Sequence, residues 1–417
     1  MSFTSEKKAN FAVAYYAGNR VVGRLSVIDR QNGDVKLREL PCLPATNLEK
    51  ADKPVFVGLT ADRRVILIDP ARDHLTFQDA FPEDAFAAHI YVDPNSANAW
   101  LMNDGDANGN DQIHCGLGGS SVTVVAEAES ANARILKTVC VGRGHHQAAF
   151  TSRSNSGVAV PNLAYISNLK DGTLSVIGND PSDQATYLTL IATINLAQAD
   201  KEGGVADKLP NNSSPHGLGY SPVSGKVYCL NSGYGTLHII DPKTQSIEAT
   251  LPFKGHSNLF MVGDGRYAMG RGADRKTDPN HVIARVSAFD VATHSIVDSL
   301  EIPDVYISKY FINPELSKLY LTVSSSGSAE QMANLKTDVL LVFDLTQLPR
   351  ITLIAEIKVG DVGSVAFVPV AEGNSLVMCS DNQSGALVVV DGNSDSVLER
   401  VAVPGAASHS RVWALTA

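Results

Sequence analysis

The chain has 417 residues, enough for two or three ordinary domains or for one large repetitive domain. Hydrophobic residues make up 44% and charged residues 19%, which is typical of a protein with a sizeable core. The formal net charge is −10 and the sequence has no run of Lys or Arg, which excludes a nucleic-acid partner. No apolar stretch reaches the roughly 18 residues that a membrane helix needs, so we expect no membrane insertion.

The first residues, MSFTSEKKANFAVAYY, lack the apolar segment and the small-residue cleavage site of a secretory signal. They predict a soluble, cytoplasmic protein as the sequence is written. A chain from which a leader had been removed would have the same start, and its location would then be periplasmic.

The cysteines are widely spaced, odd in number and without a CxxC pair. This pattern argues against a disulfide framework and against a thiolate zinc site. We therefore expect buried or half-buried free thiols. The five cysteines are Cys42, Cys115, Cys140, Cys229 and Cys379.

Repeats are visible along the whole chain. Segments 226–255 and 374–405 share one order: an apolar strand ending in Asn, Ser or Asp with Gly, a strand ending in an acidic turn, and a strand leading to a Pro/Gly corner. A further strand precedes each trio, as in PHGLGYSPVSG and GSVAFVPVAEG. Alternating β-branched residues between turn residues predict short antiparallel strands. Four such strands in each repeated unit indicate a β-propeller.

In chain order, the inner strands of these units are predicted to start near Asn47, His89, His145, His216, His256, Tyr306, Gly363 and His409. The last unit, SHSRVWALTA, has no strands after it, and the N-terminal strands from FAVAYYAGN have no inner strand before them. We therefore expect the C-terminal strand to complete the N-terminal blade and to close the ring. This gives an all-β chain with one propeller domain over residues 1–417. Eight blades are preferred and seven are the alternative, because unit 44–82 is short and weakly patterned.

The repeats resemble the bacterial YVTN-type propeller blades, whose pattern SPDGKRLYVAN, VSVID, VVATIPVG is echoed throughout. The resemblance covers nearly the whole chain. It implies the fold and says little about activity.

Histidines recur at the predicted starts of the inner strands. Because these strands surround the central channel, equivalent positions on successive blades converge on one end of it. A single histidine there is well explained as a hydrogen-bonding corner, but several neutral imidazoles together favour a bound cation. The candidate metal ligands are His89, His145, His146, His216, His256 and His409. Imidazoles suit copper, iron and zinc rather than calcium or magnesium, and copper is preferred.

The pair His145-His146 opening one blade, with single histidines opening others, resembles the copper-cluster propellers of nitrous oxide reductase and thiocyanate dehydrogenase. That resemblance implies copper ligands at His145, His146, His216, His256 and His409. The catalytic residues stay unknown, with Arg143, Tyr306 and Asp274 as candidates near the predicted site. Two roles are open for Arg143: binding of an anionic substrate, or a salt bridge between blades.

Asp104, Asp106 and Asn108 match the first half of an EF-hand-type loop, but Cys115 stands where the bidentate Glu is needed. This disfavours calcium.

The leading functional hypothesis is a copper- or iron-dependent oxidoreductase acting on a small molecule. A non-enzymatic zinc or copper carrier that meets a metal-exchange partner is the second hypothesis. A haem- or tetrapyrrole-binding propeller, similar to the haem domain of bacterial nitrite reductase, is the third. A lactonase-like hydrolase or a plain interaction scaffold is the fourth. The sequence does not identify the substrate, the number of metal ions or the oligomeric state.

Overall fold

The fold is seen in a computed structural model. It describes residues 9–18, 23–40, 45–50, 56–60, 64–69, 74–80, 87–96, 98–105, 112–113, 115–117, 119–127, 134–144, 147–152, 159–370, 374–405 and 409–415.

Short strands make up almost all of the regular structure. The first group is β1 (Phe11–Gly18), β2 (Gly23–Gln31), β3 (Asp34–Leu40), β4 (Ala45–Lys50), β5 (Phe56–Thr60), β6 (Arg64–Asp69) and β7 (His74–Ala80). The second is β8 (Ala87–Val92), β9 (Ala99–Asn103), β10 (Gln112–Ile113), β11 (Gly116–Leu117), β12 (Ser120–Ala126), β13 (Arg134–Val141), β14 (Ala148–Phe150), β15 (Leu163–Asn168), β16 (Thr173–Gly178) and β17 (Leu190–Asn195).

The strands of the second half follow the same rhythm. They are β18 (Pro215–Ser221), β19 (Lys226–Asn231), β20 (Thr236–Asp241), β21 (Ser246–Pro252), β22 (Asn258–Val262), β23 (Tyr267–Asp274), β24 (Ile283–Asp290) and β25 (Ser295–Pro303). They continue with β26 (Ile307–Ile312), β27 (Lys318–Val323), the one-turn helix α1 (Ala329–Met332), β28 (Val339–Asp344), β29 (Thr352–Lys358), β30 (Val362–Val370), β31 (Asn374–Asp381), β32 (Ala386–Asp391), β33 (Ser396–Ala402) and β34 (Ser410–Ala414).

Within the described residues the strands form eight four-stranded antiparallel sheets and one two-stranded ribbon, β10–β11. We number the sheets along the chain: sheet 1 (β34, β1, β2, β3), sheet 2 (β4–β7), sheet 3 (β8, β9, β12, β13), sheet 4 (β14–β17), sheet 5 (β18–β21), sheet 6 (β22–β25), sheet 7 (β26–β29) and sheet 8 (β30–β33). In sheet 1 the C-terminal strand pairs with the N-terminal one, Val13 lying opposite Ala414. This pairing confirms the predicted sharing of one sheet by the two ends of the chain.

From sheet 3 through sheet 8 to sheet 1, consecutive sheets pack face to face through apolar side chains, and we call these contacts the seams. One seam joins Trp100 and Met102 of sheet 3 to Ile166 of sheet 4, and another joins Met378 of sheet 8 to Val412 of sheet 1. The middle strands are therefore buried on both faces, whereas outer strands such as β21 alternate between exposed and half-buried residues. Separate four-stranded sheets stacked in chain order confirm the predicted all-β propeller fold.

The acidic turns of the repeat have a structural role at the end of the third strand. Asp241 accepts a hydrogen bond from the backbone N–H of Lys243 at 2.8 Å, and Asp391 accepts one from the N–H of Asn393 at 2.9 Å. A side chain that satisfies backbone donors two residues ahead stabilises a tight turn. The repeated Asp therefore fixes the hairpin between the third and fourth strands.

Two of the described cysteines depart from the expected free thiols. Cys115 and Cys140 form a disulfide with a Cα–Cα distance of 5.4 Å, whereas Cys229 and Cys379 are buried free thiols as expected. The segment before β12 folds back over the edge of sheet 3 and brings Cys115 beside β13. A separation of 25 residues along the chain gave no hint of this contact. Among the described residues, no helix has the length and apolar character to cross a membrane.

Candidate functional site in the central channel

The inner strands share an irregularity near their first residues. The register with the neighbouring strand shifts between Ala87 and His89 in sheet 3, and between Pro215 and Leu218 in sheet 5. Similar shifts interrupt β4, β26 and β30 close to their starts. A β-bulge re-aims a side chain and is common beside functional sites. His89 directly follows such a shift, and His216 lies within one.

A cavity of about 610 Å³ lies between the inner strands. Residues from seven of the eight sheets line it, from His89 in sheet 3 round to Trp413 in sheet 1. Strands from so many sheets reach one cavity only when the sheets are arranged around it. The cavity is therefore the central channel of the propeller, and we call its lining the channel wall.

Among the described residues, His89 is the predicted ligand that lines this channel, and His216 lies two residues before Leu218, which also lines it. His89 is half-buried in the channel wall, with its ring centroid 6.2 Å from that of Tyr91. His216 is half-buried, and its Nδ1 lies 2.8 Å from the carbonyl oxygen of Ser257. Because a carbonyl only accepts, Nδ1 carries the proton and the lone pair is on Nε2. Metal-ligating histidines have this kind of carbonyl partner on the second ring nitrogen.

His256 has a different environment. It is buried, its Nε2 lies 2.8 Å from the hydroxyl of Ser287 on β24, and its ring centroid is 4.4 Å from that of Phe253. Burial, helped by the nearby Arg285, lowers the pKa of His256 to about 4. The neutral ring is directed to the third strand of its own sheet, so the structure does not bring His256 to the channel.

The remaining predicted ligands are not among the described residues that line the channel. His409 is exposed, and its carbonyl accepts a hydrogen bond from the N–H of Gly18 at 3.1 Å. His145 and His146 lie outside the described residues, although Gln147 and Ala148 directly after them line the channel. Within the described parts of the chain, no three His, Cys, Asp or Glu side chains are grouped as a metal site requires.

Arg143 is engaged by a carboxylate. Its Nε lies 2.8 Å and its Nη2 2.7 Å from Oδ1 of Asp171, while its backbone N–H donates to Oδ2 of the same side chain at 2.7 Å. Arg143 is in the link from sheet 3 to sheet 4, and Asp171 is in a turn of sheet 4. This geometry favours the salt bridge between blades over an anion-binding role.

Asp274 is the last residue of β23, before the link to β24, and Tyr306 is in the short link from sheet 6 to sheet 7. Asp274 accepts hydrogen bonds from the hydroxyl and backbone N–H of Thr277, which together with the N–H of Lys276 lower the pKa of Asp274 to about 2. The guanidinium of Arg275 lies 5.1 Å from the ring centroid of Tyr306 and donates to Ser326 at 2.9 Å. Asp274 therefore shapes its loop, and Tyr306 supports the contact between loops. Of the predicted calcium residues, Asp104 is half-buried, whereas Asp106 and Asn108 lie outside the described residues.

Sequence reasoning missed the basic side chains of the channel wall, Arg271, Lys309 and Arg411. The available signal was a charged residue inside a predicted apolar strand, as in YISKYF and SHSRVW. A charge at such a position either faces an aqueous channel or requires a partner.

No family model matches the sequence, and no curated protein matches it significantly. Solved structures are similar in fold. Dihydro-heme d1 dehydrogenase NirN in complex with DHE has a TM-score of 0.57 at 11% identity, covering 93% of this chain and 72% of that one. Apo AztD from Citrobacter koseri has a TM-score of 0.52 at 14% identity, covering 98% and 99%. Hydrazine synthase from Kuenenia stuttgartiensis has a TM-score of 0.50 at 14% identity, covering 79% and 89%. Such low identities support a shared propeller fold alone.

Proposed function

We propose that this protein binds a transition metal through histidines at one end of the channel of a single eight-bladed propeller. The observation that supports the proposal is that His89 lines the cavity, while His216 lies in the bulge of β18, the strand whose Leu218 lines the same cavity. The pair His145-His146 directly precedes two residues of the channel wall and would complete the ligand set. Imidazole donors suit copper, iron or zinc, with copper preferred.

Only some of the described candidate histidines have surroundings that suit a metal ligand. His89 and His216 fit a metal site, and the tautomer of His216 supports this use. His256 does not fit, because its Nε2 is engaged by Ser287. The proposed site therefore depends on His145 or His146.

Two roles are compatible with such a site. A copper or iron ion held by these histidines would supply electron transfer to a small molecule that reaches the site through the cavity. A zinc or copper ion that exchanges with a partner makes the protein a carrier. Turnover of a redox dye by the metal-loaded protein supports the first role, and tight binding without turnover supports the second.

A tetrapyrrole ligand is the second candidate function. Four aromatic side chains of the channel wall favour it, Tyr91, Tyr310, Phe311 and Trp413, in a cavity of about 610 Å³. His89 in the same wall would be the axial ligand. The structurally similar dehydrogenase was solved in complex with DHE. A strong visible absorption band in the purified protein would favour this ligand over a metal ion held by side chains alone.

The experiment is a measurement of bound metal in matched variants. We expect His146→Ala and His216→Ala to abolish metal binding and to retain the melting transition of the parent protein. His294→Asn, in an exposed turn with φ +52°, is the control and should retain the metal. Equal metal content in all three variants would contradict the proposed histidine site.

A further inference from the structure

The channel wall is basic although the protein is acidic. Arg271, Lys309 and Arg411 line the cavity, and no carboxylate is among its described lining residues. The whole chain has a formal net charge of −10. A concentration of one sign of charge in a concave site, against the sign of the whole protein, attracts ligands of the opposite charge.

The three cations come from three different sheets. Arg271 is on β23 of sheet 6, Lys309 is on β26 of sheet 7, and Arg411 is on β34 of sheet 1. Lys309 occupies the bulge of its inner strand and donates to the carbonyl of Gly363 in sheet 8 at 2.5 Å. This bond across two sheets holds the ammonium group at the wall. The cations therefore converge on the cavity from separate directions.

Arg271 has unused hydrogen-bonding capacity. Its Nη1 donates to the carbonyl of Ile307 at 3.0 Å, whereas its buried Nε has no hydrogen-bond partner among the described residues. Burial also lowers the pKa of Arg271 from its ordinary value. A buried donor without an acceptor is costly, and an anionic ligand would relieve this cost.

The wall also carries four aromatic side chains. Tyr91, Phe311 and Trp413 line the cavity, as does Tyr310, whose ring is stacked on Phe260 with centroids 3.8 Å apart. Flat side chains offer apolar contact to a planar molecule, and guanidinium groups pair with carboxylate or sulfonate oxygens. The cavity volume of about 610 Å³ is that of a small-molecule site.

We propose that the channel binds a small organic anion, a carboxylate or sulfonate carried on a planar aromatic body, through Arg271, Lys309 and Arg411. The inference does not rest on the metal, because none of the three cations is a metal ligand. It assigns these side chains to ligand binding and the aromatic residues to contact with the ligand body.

The test uses the metal-stripped full-length protein and two fluorescent probes of similar shape. One probe is the anion anilinonaphthalene sulfonate, and the other is its uncharged analogue phenylnaphthylamine. We expect saturable binding of the anion with one site per chain. Arg411→Gln and Lys309→Gln should each weaken binding of the anion at least about tenfold, the loss typical of a charged hydrogen bond. The uncharged probe should respond to neither variant.

Arg350→Gln is the matched control, because Arg350 is exposed and lies outside the cavity lining. It should bind the anionic probe as the parent protein does. The proposal is overturned if Arg350→Gln weakens anion binding as much as Arg411→Gln, or if the anionic and uncharged probes lose affinity equally. Because metal is absent throughout, neither result bears on the histidine site.

Discussion

The seams and the channel wall are built from the same sheets but from opposite kinds of side chain. A seam such as that between sheets 5 and 6 contains Tyr228, Leu237, Ile239 and Phe289, each at most 1% exposed. The channel wall contains Arg271, Lys309 and Arg411 together with polar side chains such as Gln147 and Ser308. The kind of side chain follows from the position of the strand within its sheet. Middle strands pack against neighbouring sheets on both faces, whereas inner strands border the central channel.

This contrast separates stability from binding. Burial of apolar area in the seams is the main favourable contribution to folding. The charged side chains of the wall line a cavity, where a ligand can reach them. Substitutions in the seams should change the free energy of unfolding, and substitutions in the wall should change affinity.

The largest expected effect is in a seam. Phe289 is 1% exposed and makes edge-to-face contacts with Tyr228 and Phe253, at centroid distances of 5.9 and 6.0 Å. Phe289→Ala should lower the free energy of unfolding by about 3–5 kcal/mol, because it removes buried area and leaves a cavity. Urea denaturation measures this, with the 40%-exposed Val297→Ala as the control. A loss similar to the control would contradict the assignment of stability to the seams.

The next largest effect on the free energy of unfolding is expected from the disulfide. The disulfide lies in neither the seams nor the channel wall, since it links a loop to the outer strand of sheet 3. Replacing both Cys115 and Cys140 with serine should lower the free energy of unfolding by about 2–4 kcal/mol, because the unfolded chain gains freedom. A reducing agent should destabilise the parent protein and leave the double variant unchanged. Equal stability of the two proteins under oxidising conditions would argue against the bond.

A pH effect distinguishes the buried histidine from those at the channel. Unfolded histidine has a pKa near 6.5, whereas His256 has a folded pKa of about 4. The unfolded state therefore takes up a proton first, and stability falls as the pH drops from about 6.5 to 4, by on the order of 3 kcal/mol. His238 is lowered to about 4 in the same way.

His256→Gln should remove about half of the acid destabilisation that these two buried histidines cause. Unfolding curves recorded between pH 7 and pH 4.5 measure this, and His409→Gln at an exposed position should leave the pH dependence unchanged. An unaltered slope in His256→Gln would mean that the ring is protonated in the folded protein.

The smallest effect is expected in the wall. Arg411→Gln should change the free energy of unfolding by less than about 1 kcal/mol, as for substitutions outside packed cores. Thermal melting of the parent and variant proteins tests this. A large loss of stability would show that Arg411 supports the fold and would weaken the division between wall and seams.

The fold was predictable because its signals are local and repeated. Alternating residues give strands, Asp241 and its equivalents give turns, and the unpaired strand at the C-terminus indicates its partner at the N-terminus. The disulfide was not predictable, since it depends on how a loop folds back over β13. The direction of His256 also depends on a tertiary contact, because Ser287 lies 31 residues further along the chain. For Arg271 and Lys309, sequence showed the charge but not the cavity it faces.

The central claim is a metal at the histidine end of the channel. The most direct measurement is plasma mass spectrometry of the protein purified without a metal-binding tag, with a visible spectrum of the same sample. We predict near-stoichiometric copper, iron or zinc in the parent protein and its loss in His216→Ala. A colourless, metal-free protein that also fails to take up added metal would contradict the claim.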